Sequence, residues 1–120
     1  MLEPIPFDAD NIVGLRVAGR IEAGEFDKIA AIVEDKLSRH PKLRVYVEVP
    51  SFDGISIEAF FKDLQMGLRH WHRFEKEAVV TDQAWLQRIT AFTGHLVPGL
   101  EVRAFPTTDK AAARAWIEAA

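Results

Sequence analysis

Between Leu43 and Phe92 the chain runs twice from a strand into a helix, and that repetition confines it to the α/β class. Leu43-Arg-Val-Tyr-Val-Glu-Val49 alternates, with Leu43, Val45, Val47 and Val49 on one side and Arg44, Tyr46 and Glu48 on the other. Pro50-Ser-Phe-Asp-Gly54 breaks it, and a helical pattern follows from Ile57 to about Arg73. Ala78-Val-Val80 is short and continuously apolar, the mark of a central strand covered on both faces. Thr81-Asp82 ends that strand, and a second helix starts near Trp85. Consecutive strands joined by a helix must lie parallel, with a right-handed crossover.

The flanking segments extend the pattern. Leu2 to Phe7 carries two prolines, which suits an edge strand, and Ile12 to Ala18 reads as its hairpin partner. Phe26, Ile29, Ala30, Val33 and Leu37 recur at helical spacing; Glu22 and Glu25 stand near the start and Pro41 beyond the end. Leu100 to Phe105 reads as another strand. Thr107 or Thr108 then caps a last helix whose inner line is Ala112, Ala115, Trp116 and Ala119. The expectation is a single domain over residues 1–120, an α/β fold with a mixed, mostly parallel sheet of about five strands and helices on both faces. Val45, Val47, Val79 and Val80 are expected to be buried in its central strands.

Composition removes several classes of function. The 120 residues carry a formal net charge of -3, and a nucleic-acid partner needs a clustered basic surface instead. The nearest approach to one, Arg69-His-Trp-His-Arg73, falls at the expected end of a helix, where cations complement the dipole. There is no cysteine, hence no disulfide, thiolate metal site or cysteine nucleophile. Neither a signal peptide nor a bilayer-length apolar run is present, so a cytoplasmic protein is expected, with peripheral membrane association compatible.

No complete catalytic set stands out, and the expectation is a non-enzymatic domain without metal or cofactor. Asp53 and Asp82 lie beyond the carboxyl ends of adjacent strands, where ligand sites in open α/β sheets form, yet both also suit turns and caps. His70 and His72, two apart on a helix, diverge too far to share a metal ion. Ser56 at a helix N-terminus could accept a phosphate, but serine is also what an N-cap requires. The apolar stripe Ile57, Phe60, Phe61, Leu64, Gly67, Leu68, Trp71 is wider than one packing face. Phe60 and Phe61, adjacent on a helix, diverge by about 100° and cannot share one tight contact. Such a stripe is either ordinary core or the wall of an apolar site completed by Trp85 and Ile89.

Four segments carry a family resemblance: Val47-Glu-Val-Pro-Ser-Phe-Asp-Gly54, Lys62-Asp-Leu-Gln-Met-Gly-Leu-Arg-His-Trp71, Ala78-Val-Val-Thr-Asp-Gln-Ala-Trp85, and Phe105 through Ala115-Trp116. In them the chain resembles the SpoIIAA-like proteins, a bacterial group related in fold to STAS domains and more distantly to CRAL-TRIO lipid carriers. The resemblance implies two functions. One is binding of a lipophilic ligand, or a membrane surface, through the two middle helices at Phe60, Phe61, Leu64, Trp71, Trp85 and Ile89. The other is a STAS-like regulatory module that meets a protein partner and is phosphorylation-controlled at the loop from Asp53 to Ser56. This chain has Ser51-Phe-Asp-Gly-Ile-Ser56 there, without the tandem Asp-Ser-Ser of the sporulation switch proteins.

Overall fold

A computed structural model describes residues 1–50, 54, 55, 69–84, 86–88, 90 and 99–119, with 54, 55 and 71 described by their backbone alone. Strands β1 (Leu2–Ile5), β2 (Ile12–Val17), β4 (Leu43–Val49), β6 (Phe74–Thr81) and β7 (Glu101–Phe105) form one sheet in the order β1-β2-β4-β6-β7. The last four are parallel, and β1 closes one edge antiparallel to β2. That is the mixed, mostly parallel five-stranded sheet the sequence implies. The prolines of the first segment fall at this edge, where a missing N–H costs no ladder bond. A second parallel pair joins β3 (Arg20–Ile21) to β5 (Gly54–Ile55), although Gly54 reads in sequence as the end of a break.

Helix α1 (Ala23–Leu37) forms where the apolar period is clearest, and it buries Phe26, Ile29, Val33 and Leu37. Its start is a capping box: Glu22 at the N-cap and Glu25 three residues on exchange side-chain and backbone bonds. Ile29, Val33 and Leu37 pack on Val13 and Leu43, covering one face of the sheet. Helix α2 (Lys110–Glu118) covers the other face, setting Ala113 and Ile117 against Ile12, Tyr46, Ala78 and Val80.

Four expectations change. The inner line of α2 is Ala113 and Ile117, with Trp116 half-buried, whereas Ala112, Ala115 and Ala119 are exposed. Four alanines in the helix leave the period ambiguous, and the branched Ile117 decides it. The polar side of β4 is the sealed one: Tyr46 is fully buried and Glu48 is 5% exposed, while Val45 and Val47 are only half-buried. Strand β6 begins at Phe74, four residues earlier than its apolar core, and Trp71–Arg73 is a 3-10 turn rather than the end of an α-helix. Finally, α2 follows a 3-10 turn, Thr107–Asp109, and its N-cap is Asp109, not a threonine.

Candidate functional site

Strand register brings together a group of polar side chains beneath α2 that sequence spacing left apart. Arg16 on β2 stands opposite Glu48 on β4, and Gly14 opposite Tyr46. Helix α2 runs antiparallel above β4, so Lys110 in its first turn reaches Glu48. The Lys110 Nζ lies 2.8 Å from Glu48 Oε1, and Arg16 Nη2 lies 3.5 Å from the same oxygen. One nearly buried carboxylate thus serves two cations whose side chains are half-exposed.

Tyr46, two residues before Glu48 on the same face, occupies the floor. Phe7 packs edge-on against it at 5.2 Å between ring centroids. Gly14 makes that contact feasible: a β-carbon there would come within 2.4 Å of the Ile5 carbonyl oxygen and 2.6 Å of the Phe7 ring. Arg114, one turn beyond Lys110, lays its guanidinium 4.2 Å from the Phe7 ring centroid and 5.5 Å from that of Tyr46. The Tyr46 hydroxyl is buried, with the Glu48 carboxylate and the Arg114 guanidinium beside it, and completes no hydrogen bond of normal geometry. Burial, followed by the nearby Glu48 carboxylate, pushes its pKa up to about 12, and Arg114 partly offsets this.

The far end of α2 is held by cations from the sheet. Arg44 donates to the Ile117 carbonyl at 2.9 Å and to that of Ala119, and Lys76 donates to Trp116 and Ala119 at 3.4 and 3.3 Å. Glu75, the extra residue at an irregularity between β4 and β6, accepts from Arg44 Nε at 2.9 Å.

The residues singled out from the sequence are only partly placed. Asp53, Ser56, Phe60, Phe61, Leu64, Trp85 and Ile89 lie outside the described residues, and Trp71 is described only by its backbone in the 3-10 turn. On the α1 side of the sheet, Val17, Ile21, Val49 and Val79 form a buried group flanked by Val47 and Leu86. The β3–β5 pair fixes the backbone between Asp53 and Ser56 beside the segment that enters α1. Asp82 binds Thr107 through both oxygens, accepting from its amide at 2.9 Å and from its hydroxyl. Those bonds, the hydroxyl's first, hold the Asp82 carboxyl below its usual range. Thr81 Oγ1 accepts from the Gln83 amide at 3.1 Å. The Arg69–Arg73 cluster is structural in its described contacts: His70 meets Glu34 at 2.7 Å, and Arg73 donates to the Leu37, His40 and Pro41 carbonyls. Among the described residues no three His, Asp or Glu side chains are placed to hold a metal ion, and no helix is long and apolar enough to cross a membrane.

A family model, SpoIIAA-like, matches residues 12–118. The chain belongs to the SpoIIAA-like family. A solved structure similar to it is an uncharacterized protein with a SpoIIAA-like fold from Shewanella loihica PV-4. It has a TM-score of 0.75 and 19% identity over 98% of this chain and 92% of that one. None of the curated proteins matches. The fold of this SpoIIAA-like chain is therefore secure on both comparisons, and its STAS-like α/β sheet is the frame in which its function has to be read.

Polar residues on a central strand were the signal for the group beneath α2. Arg44, Tyr46 and Glu48 alternate along β4, and in a sheet covered on both faces such residues need partners from a helix. Lys110 and Arg114, four apart, were the matching half.

Proposed function

We propose that this SpoIIAA-like domain binds rather than catalyses, taking a lipophilic ligand on the α1 side of its sheet. The supporting observation is an asymmetry in the central strand. On the α2 side Tyr46, Ala78 and Val80 are wholly buried; on the α1 side Leu43, Val49 and Val79 are buried too, but Val45 and Val47 between them are only partly buried. Mid-strand valines in an α/β sheet are ordinarily sealed by crossover helices, so partial exposure favours an apolar occupant. The sequence supplies the matching wall in Phe60, Phe61, Leu64, Trp71, Trp85 and Ile89. An environment-sensitive fatty-acid probe should bind saturably, and Phe61→Asp should weaken it at least tenfold. Liposome co-sedimentation then separates a carried ligand from a membrane surface. Failure of every acyl probe and of liposomes to bind would overturn the reading.

A second reading, a STAS-like regulatory module, is favoured by the β3–β5 pair. It anchors Gly54 and Ile55, which precede Ser56 in sequence, against Arg20 and Ile21. Ser56→Asp, which preserves a capping oxygen, should then abolish capture of a protein partner while the fold persists. Identical partner capture by wild type and Ser56→Asp would discard it.

A further inference from the structure

The face beneath α2 is unrelated to the apolar reading above and lies on the opposite side of the sheet. Buried hydroxyls nearly always have a partner, yet the Tyr46 hydroxyl, with the Glu48 carboxylate and the Arg114 guanidinium beside it, completes no hydrogen bond of normal geometry. The charged groups acting on it are the Glu48 carboxylate and the Arg114 guanidinium. The Glu48 charge is already shared between Lys110 and Arg16, at 2.8 and 3.5 Å, which leaves three cations around one carboxylate in this layer. The carboxylates of Glu3, in register with Arg16, and Asp109, before Lys110, are exposed and screened by water. The first turn of α2 adds its dipole, and Asp109 makes no side-chain cap bond to the turn's amides.

We propose that Tyr46, Arg114 and Lys110 form a binding site for an oxyanion, a phosphate group being the best match. A phenol hydroxyl donates one bond, a guanidinium donates a fork suited to two phosphate oxygens, and an ammonium supplies a point charge. Glu48 fixes Lys110 and Arg16 from below and takes no part in contacting the ligand. Arg114 rests on the Phe7 ring as a movable cover, and a rotamer change carries its guanidinium from the ring to the anion and opens the way to Tyr46.

Tyr46 is the only tyrosine in the chain, so its ring signals report this site alone. Inorganic phosphate titrated at constant ionic strength, with chloride as the balancing ion, should shift the Tyr46 ring resonances saturably. Arg114→Met keeps the side chain's bulk and should weaken binding at least tenfold, about 1.4 kcal/mol. Tyr46→Phe, followed through the Lys110 and Arg114 amides, should weaken it several-fold with the fold intact. Arg39→Met, which removes a cation elsewhere, should change nothing. Short-chain phosphatidic acid in a parallel titration distinguishes sources: affinity equal to that of inorganic phosphate assigns the site to the phosphate group alone, and higher affinity assigns it to a lipid headgroup. A Tyr46 shift no larger than the chloride control's, or phosphate affinity unchanged in both Arg114→Met and Tyr46→Phe, would overturn the site.

Discussion

Arg44 and Glu48, four residues apart on one face of β4, hold opposite ends of α2. Arg44 takes the carbonyls at its C-terminus, and Glu48 takes the Lys110 ammonium at its N-terminus. The match is dimensional. Four strand residues span about 13 Å, and the nine steps from Lys110 to Ala119 along the chain, mostly helical, cover about the same length. The signs also suit the helix dipole, a carboxylate at its positive end and a guanidinium at its negative end.

Lys110→Met should cost about 1–2 kcal/mol, because it leaves the buried Glu48 with only the more distant Arg16. Adding Glu48→Gln should recover part of that loss, giving a favourable coupling in a double-mutant cycle read from urea unfolding. Additive losses would mean that the two side chains do not act as a pair.

Gly14→Ala should destabilise by about 1–3 kcal/mol through overpacking. The added carbon meets the Ile5 carbonyl and the Phe7 ring, and the backbone is the contact that cannot yield. Thermal unfolding gives the magnitude, and loss of the Phe7–Tyr46 ring contact in proton NMR identifies the cause.

Phenol absorbance followed through an alkaline titration reports Tyr46 alone. Its midpoint should fall near pH 12 in the folded protein and near 10 once unfolded. With the folded value raised, folded Tyr46 keeps a proton that the unfolded chain has lost. Its contribution is therefore complete below pH 10 and falls away between 10 and 12, at no more than about 1.4 kcal/mol per pH unit. A folded midpoint near 10 would place the hydroxyl in water.

Asp10 joins the β1–β2 turn to the end of α1, meeting Arg39 at 3.0 Å, His40 at 2.7 Å and Lys36 at 3.5 Å. The Arg39 bond first, then that of His40, holds its carboxyl well below the usual carboxylate range. A depressed carboxylate contributes above its unfolded pKa of about 4, and the contribution is lost as pH falls below that. Asp10→Asn should lower the melting temperature at pH 7 more than at pH 3. Equal losses at both pH values would show that the charge plays no part.

Where side-chain type and period agree, the sequence is a good guide to this fold. The Phe26-Ile29-Val33-Leu37 line of α1, the buried Val79-Val80 step and the proline-bearing edge all follow from residue type. Legibility fails where burial depends on what lies across a gap. Nothing within β4 reveals that α2 and Phe7 close over Tyr46 and Glu48, and polar residues there read as a facing-out side. Alanine gives α2 no period of its own. The two-residue pair β3–β5 is too short to leave any alternation. Arg16 on β2 and the Lys110–Arg114 pair on α2 are far apart in sequence, and only the strand register with the packing of α2 on the sheet gathers them around Glu48.

The end of α1 has a bearing on how the molecule assembles. Its carbonyls at Leu37 and His40, with Pro41 just beyond, are met by the one guanidinium of Arg73, at 2.9, 2.8 and 2.6 Å. Local bonds also close this turn, from the Ser38 and His40 amides to the Glu34 and Lys36 carbonyls and from the Ser38 hydroxyl to that of Asp35, and Arg73, more than thirty positions downstream, takes up carbonyls that they leave. A nascent chain that has extended only to Lys42 can make those local bonds but leaves the Leu37, His40 and Pro41 carbonyls to water. Those carbonyls gain their guanidinium partner when Arg73 and the strand behind it arrive, so completion of a local element is tied to a distant one. For this protein, the last bonds at the end of a first-half helix are made by a residue of the second half.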